Sequence, residues 1–545
     1  MSILATALGS MFAVFLFSYS AVAQGQVVSQ PPVNVLTYHN DNQRTGLNPN
    51  ETLLTTANVR MSIFGKVNLL STKDRVRVEP LYVSSLAING GVHNVVYVED
   101  DSDYVYAFDA DKGGLLWQVQ ALNANETSAP FSGTCPNAGN PGIVGTPVID
   151  RSAGLHGAIY FVAASYDPAL RIYHHRLHAL DLSTGAELFN GPTEINATFP
   201  GTGDNSFNGV VIFNSAKYFV RAALLEANGS IYVGFTSLCD QRPYTGWLLQ
   251  YSASTLQQQS ILNLTPNGNS GAIWGAGGGP AADSDGYVYV LGGNGTFDTA
   301  LDGNGFPADG DYGNAMVKIS RQAPLSVVDY FAMYDTLAES DEDSDLGSGA
   351  PMVIDVPSGG GTAHLVLGAG KDGHIYAADR NNMGKWNPNN NDNIYQDFTN
   401  AMPTGEFGSP AFFNNTVYYG ALYASIRAFP VRQGKIQPVS RQTITSFTYP
   451  GTSPSISSNQ LNNGIVWAVE NGRGSKSSVL HAFAAVDVNR ELYNSNQAAA
   501  RDQLPGMGNK FITPMIANGR VYVATRMGVA VYGLLSRDSQ PDASR

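Results

Sequence analysis

The stretch Val95-Val96-Tyr97-Val98, a polar turn at Asp101-Ser102-Asp103, then Tyr104-Val105-Tyr106-Ala107-Phe108-Asp109 and Gly113-Gly114-Leu115-Leu116-Trp117, places β-branched and aromatic residues on both sides of a turn. Such a pattern reads as successive antiparallel strands. Its closing Ala-x-Asp recurs in variant form at His178-Ala179-Leu180-Asp181, Tyr376-Ala377-Ala378-Asp379, Arg427-Ala428-Phe429-Pro430 and His481-Ala482-Phe483. Looser copies are Leu248-Leu249-Gln250-Tyr251, Met316-Val317-Lys318-Ile319 and Val529-Ala530-Val531-Tyr532. One unit cannot cover its own apolar faces, so the copies must stack into a shared core. The inner hairpins begin near Val95, Ile159, Ile231, Tyr287, His364, Val417, Ile465 and Val521. The expected fold is all-β, an eight-bladed β-propeller. Seven blades stay open, because the third and fourth copies are degenerate.

A ring of blades is one cooperative body, so the repeat overrides the several domains that length alone would suggest. The propeller is expected over 63–535, with a strap at 24–62 and a tail at 536–545. Phe64-Gly65-Lys66-Val67-Asn68-Leu69-Leu70 reads as a strand without a blade of its own, and the last unit lacks a fourth strand. Joining the two would close the ring. The 58 Gly, 28 Pro and 27 Tyr are what many short strands and turns require. No linker-like low-complexity segment is seen inside the ring; the acidic stretch from Glu339 to Asp345 comes nearest to one. Unequal intervals between copies mark inserted loops, where function is expected.

Residues 1–23 form an apolar run without Lys or Arg that ends in Ala21-Val22-Ala23, a small-x-small pattern suited to signal cleavage. Export to the periplasm or the exterior, with no membrane span after cleavage, is the expectation, and an uncleaved anchor is the alternative. No Cys follows the run, which disfavours a lipoprotein. In an exported chain, Cys135 and Cys239 read as one disulfide if their loops meet, and otherwise as two unpaired thiols.

With 44 acidic against 31 basic residues the net charge is −13 and no Lys/Arg run occurs, so binding to nucleic acid is not expected. Acidic loops at a propeller mouth suit a divalent cation bound by oxygen. Asp240, Asn294, Asp298, Asp309, Asp311, Asp341, Asp343 and Asp345 are the candidate donors. Paired Cys at ligand spacing, a Gly-x-Ser-x-Gly elbow and a phosphate-binding Gly loop are all missing.

The repeat, with Ala107-Phe108-Asp109-Ala110-Asp111-Lys112-Gly113 before Trp117 and Ala179-Leu180-Asp181-Leu182-Ser183-Thr184-Gly185, resembles that of pyrroloquinoline quinone (PQQ) proteins. The resemblance implies an eight-bladed propeller whose blades dock through the Trp and Gly of each repeat. Some exported members are assembly scaffolds without a quinone. Beyond the repeat, local motifs follow the order of the quinoprotein alcohol dehydrogenases. Tyr38-His39-Asn40-Asp41-Asn42-Gln43-Arg44-Thr45-Gly46-Leu47 is similar to their N-terminal strap, and Gly271-Ala272-Ile273-Trp274-Gly275 resembles the segment whose Trp floors the quinone. Val290-Leu291-Gly292-Gly293-Asn294-Gly295 resembles the strand end whose Asn binds calcium. Asp341-Glu342-Asp343-Ser344-Asp345 stands where that family has an Asp-containing loop that supplies its catalytic base. Gly370-Lys371-Asp372-Gly373-His374 resembles the strand whose basic residue meets the quinone oxygens.

The resemblance implies Trp274 as the stacking platform, Asp345 or Asp343 as base, Lys371 as both catalytic cation and cofactor contact, and Asn294, Asp240 and Asp345 as calcium ligands. These types belong together chemically. Hydride acceptance needs a carbonyl polarised by cations, loss of the hydroxyl proton needs a carboxylate, and a flat cofactor needs an aromatic face. Each residue also has an ordinary reading: Trp274 as blade packing, Asn294 as a turn or glycan site, Lys371 beside a hairpin turn, the acids as solvated loop residues. The chain departs from the family by lacking adjacent cysteines, by carrying Asp240 where a Glu is usual, and by having no haem-attachment Cys-x-x-Cys-His. Two functions follow. One is an exported PQQ- and calcium-dependent oxidoreductase of an alcohol or sugar, passing electrons to a separate acceptor; the other is a noncatalytic propeller that binds protein or glycan.

Overall fold

The computed structural model describes residues 33–130 and 141–536. Eight antiparallel sheets built on four-strand meanders succeed one another along the chain, so the propeller has eight blades rather than seven. Blade 1 comprises Leu81–Ile88, Gly91–Glu99, Tyr104–Asp109 and Leu115–Gln120. All eight inner hairpins read from the sequence supply the second and third strands of their blades, including the degenerate third and fourth copies. Blade 8 is closed by both ends of the described chain. Phe64–Ser71 pairs antiparallel with Gly528–Leu534, with Phe64 opposite Leu534 and Ser71 opposite Gly528.

Apolar clusters straddle adjacent blades, one joining Tyr232 and Leu248 of blade 3 to Val288, Val290 and Val317 of blade 4. Docking between blades 1 and 2 has the form the repeat implied. Trp117 Nε1 donates to Leu182 O at 3.0 Å, and its ring covers Gly185, where an added Cβ would lie 2.9 Å from Trp117 Cε3. Gly185 also has φ of +69°, so both its backbone and its neighbour require glycine.

Residues 35–48 bind the ring from within. Val35 pairs with Tyr82 of blade 1, while Leu36, Asn42, Gln43, Thr45 and Gly46 accept backbone hydrogen bonds from Ile149, Ala282, Val353, Phe412 and Ile456 of blades 2, 4, 5, 6 and 7. Arg44 is wholly buried, and its guanidinium donates to Thr37 Oγ1, Tyr38 O, Leu224 O and Pro280 O at 2.7–3.0 Å. Burial lowers its pKa to about 10, so it stays cationic at neutral pH.

The acidic run is ordered structure within the ring. Thr336–Asp341 is a short helix anchored by buried Thr336, and Leu346–Ser348 is a buried 3-10 turn. Residues 1–23, Cys135 and nearly all of the tail lie outside the described residues. Among the described residues no helix is long and apolar enough to cross a membrane.

Candidate active site

Loops joining second to third strands, and each blade to the next, meet around one cavity of about 550 Å³. Volumes of roughly 300–1,000 Å³ are usual for small-molecule sites. Trp274, Asn294, Asp343, Asp345, Lys371, Asp240 and Cys239 all line it. The sequence motifs, scattered over more than a hundred residues, therefore converge.

Glycines let these loops approach so closely. A Cβ at Gly293 would lie 2.8 Å from Trp274 Cδ1, and one at Gly370 would lie 2.5 Å from Asp345 O. Glycine at the first position lets the indole lie against the strand end that carries Asn294; at the second it lets Lys371 reach Asp345. The ring centres of Trp274 and Phe219 lie 6.4 Å apart in an edge-to-face arrangement.

Lys371 Nζ stands 2.7 Å from Asp345 Oδ1 and 2.5 Å from Asp343 Oδ1. The two acids differ in setting: the side chain of Asp345 is 5 % exposed and that of Asp343 is 75 % exposed. Burial raises the pKa of Asp345; Lys371 opposes the shift, and Asp343 and Asp240 reinforce it. Burial alone would lower Lys371, yet Asp345 and Asp343 outweigh it and hold the ammonium above its ordinary value. The turn carrying Asp345 is fixed by backbone contacts, with Leu346 N donating to Asn314 Oδ1 at 2.7 Å and Ser348 Oγ to Asp345 O at 3.0 Å.

Asn294 Nδ2 donates to Asp343 Oδ1 at 2.8 Å, while its Oδ1 is buried without a hydrogen-bond partner. Asp240 Oδ1 accepts from Tyr244 Oη at 2.9 Å and from Ser237 Oγ at 3.2 Å. Among the described residues no three His, Cys, Asp or Glu side chains form a ready-made metal centre. Asp298, Asp309 and Asp311 do not line the cavity. They share a separate loop in which Asp309 N donates to Asp298 Oδ2.

The sequence did not reveal the other wall. Arg75, Arg77, Arg221, Lys510 and Arg526 line it with Phe407, Tyr449 and Phe511. The expected acidic mouth is thus corrected: six basic side chains, counting Lys371, face three acidic ones. Arg75 and Arg77 both engage Asp101, at 2.8 and 2.7 Å. Their alternation across a single residue was the one legible signal, since Arg221, Lys510 and Arg526 stand alone in sequence.

No family model and no curated protein matches the sequence. Solved structures do match its fold. A quinohemoprotein alcohol dehydrogenase from Comamonas testosteroni matches with TM-score 0.59 and 15% identity over 94% of this chain and 82% of that one. One from Pseudomonas putida matches with TM-score 0.57 and 14% identity over 93% and 81%. A europium-containing methanol dehydrogenase matches with TM-score 0.56 and 13% identity over 93% and 99%. At such identity the likeness shows the β-propeller fold that these dehydrogenases share, and chemistry must be argued from residues.

Proposed function

We propose that this protein is an exported oxidoreductase that oxidises an alcohol or sugar hydroxyl with PQQ and calcium as cofactors. The observation that carries the reading is the convergence of Trp274, Asn294, Asp345 and Lys371 on one polar cavity. The residues fit the cofactors. Trp274 offers a half-buried aromatic face, and the donors near it are all oxygen, as a hard cation requires. The buried, unpartnered Oδ1 of Asn294 is the clearest donor, with Asp345 and Asp240 as carboxylates.

The chemistry such cofactors supply is hydride acceptance, with the cation polarising the accepting carbonyl. Trp274 stacks the planar ring and fixes its orientation. Asp345, buried and tied to Lys371, accepts the hydroxyl proton; exposed Asp343 orients Lys371 and Asn294 instead. Lys371 places a fixed positive charge where negative charge develops, at no reorganisation cost. Without a haem-attachment motif, electrons leave to a separate acceptor. Cys239 lines the cavity, and a bridge to Cys135 would brace the loop that carries Asp240.

Titration of the purified protein with PQQ in excess calcium, followed by tryptophan fluorescence, tests the reading. Saturable quenching that Trp274→Ala abolishes supports it. Absence of binding up to high micromolar quinone overturns it in favour of a noncatalytic scaffold.

A further inference from the structure

We infer that the basic wall of the cavity is a carboxylate subsite, so that the small molecule this protein takes is a hydroxy acid or sugar acid rather than a neutral alcohol. The inference rests on the oxidoreductase reading for the role of the Asp345–Lys371 pole, and on different side chains for its own part.

Arg221 is the centre of the subsite. Its residue is 7% exposed, its Nη2 has no hydrogen-bond partner, and its guanidinium lies 4.4 Å above the Phe511 ring. Burial lowers its pKa to about 9, so the group is still a cation at neutral pH. A buried guanidinium edge without an acceptor is costly, and a carboxylate entering the cavity removes that cost through a planar, bidentate match. Lys510 stands 4.6 Å from the Tyr449 ring centre, and Arg526 is held by Gly508 O at 3.0 Å. Both side chains are partly exposed to the cavity mouth. In a chain of net charge −13 that repels anions at a distance, this cluster makes the cavity locally attractive to them.

The wall also faces the chemistry. Tyr449 lies within electrostatic reach of both Lys371 and Arg221, and Phe407 packs edge-on to it at 5.9 Å. A ligand spanning this aromatic surface presents a hydroxyl to Asp345 and Lys371 at one end and its anion to Arg221 at the other. A neutral alcohol leaves Arg221 unanswered. Carboxylates of the quinone itself are the competing source of the anion, and the experiment separates the two.

Calorimetric titration of the full chain in calcium buffer would use matched pairs: glycolate with ethylene glycol, glycerate with glycerol, gluconate with glucitol. PQQ affinity is measured in parallel by fluorescence. At least one acid is expected to bind tenfold or more tightly than its neutral partner, and Arg221→Met to erase that preference while PQQ affinity changes less than twofold. Should Arg221→Met not fold, Arg526→Gln at the mouth is expected to weaken acid binding severalfold and flatten its salt dependence. Equal or absent binding of every acid and its partner overturns the inference, as does an Arg221→Met variant that loses PQQ and keeps the acid. Acid preference without PQQ binding leaves the carboxylate subsite standing and removes the oxidoreductase reading.

Discussion

Asp345 and Lys371 form an ion pair of 2.7 Å at the cavity wall, with the carboxylate almost fully buried and the ammonium also touching exposed Asp343. One cation thus serves two acids of unequal environment. Removing water from Asp345 strengthens its interaction with Lys371 and raises its pKa above the ordinary carboxylate value.

That inequality separates the acids by experiment. Asp345→Asn is expected to lower kcat/KM for PQQ-dependent oxidation by about 10³-fold, within the usual range for general-base removal. Asp343→Asn, which leaves the Asp345–Lys371 pair in place, is expected to cost less than about tenfold. Steady-state kinetics with an artificial electron acceptor measures both; equal losses would move the base to Asp343 or elsewhere.

Asn294 gives a cation test independent of turnover. Its buried Oδ1 lacks a partner, whereas its Nδ2 already holds Asp343. Asn294→Ala removes the oxygen donor, so the calcium concentration giving half-maximal thermal stabilisation should rise at least tenfold, about 1.4 kcal/mol of binding. A calcium response unchanged by the substitution places the cation away from Asn294.

The blades were legible because each repeats a local pattern of strand alternation and a turn, to which blades 1 and 2 add the docking pair Trp117 and Gly185. Motif order likewise brought out Trp274, Asn294, Asp345 and Lys371, because their segments resemble those of a known family in the same order. The basic wall was hidden for a physical reason. Arg75 and Arg526 meet only when Phe64–Ser71 pairs with Gly528–Leu534 to close the ring, and no local pattern announces that meeting. The charged run from Glu339 to Asp345 gave little sign of its order, which comes from buried Thr336 and Leu346 on either side.

Blade docking offers a stability test. Gly185→Ala places a methyl 2.9 Å from Trp117 Cε3 at a φ of +69°, combining overpacking with left-handed strain. A loss of about 2–4 kcal/mol is expected, read as a lower midpoint in urea or heat. Trp117→Gly in the same chain relieves the overpacking, so the double variant should lose less than the two single losses added together.

Glu406 gives the pH test. It is buried behind the site, with Oε1 accepting from Gly408 N at 2.7 Å and Oε2 unpartnered. Burial raises its pKa from 4.5 to about 8. Because the folded value lies above the unfolded one, its contribution to stability is fully present below about pH 4.5 and is lost as pH rises to about 8, the unfolded chain releasing its proton first. Each pH unit within that window removes up to about 1.4 kcal/mol, and above it the contribution is constant. Glu406→Gln keeps the size and hydrogen-bonding capacity without the titration, so its unfolding free energy should fall less steeply between pH 5 and 8 than that of the parent protein. Denaturant unfolding across that range decides the matter: parallel curves for the two proteins would mean that Glu406 is ionised in the fold, with a partner at Oε2.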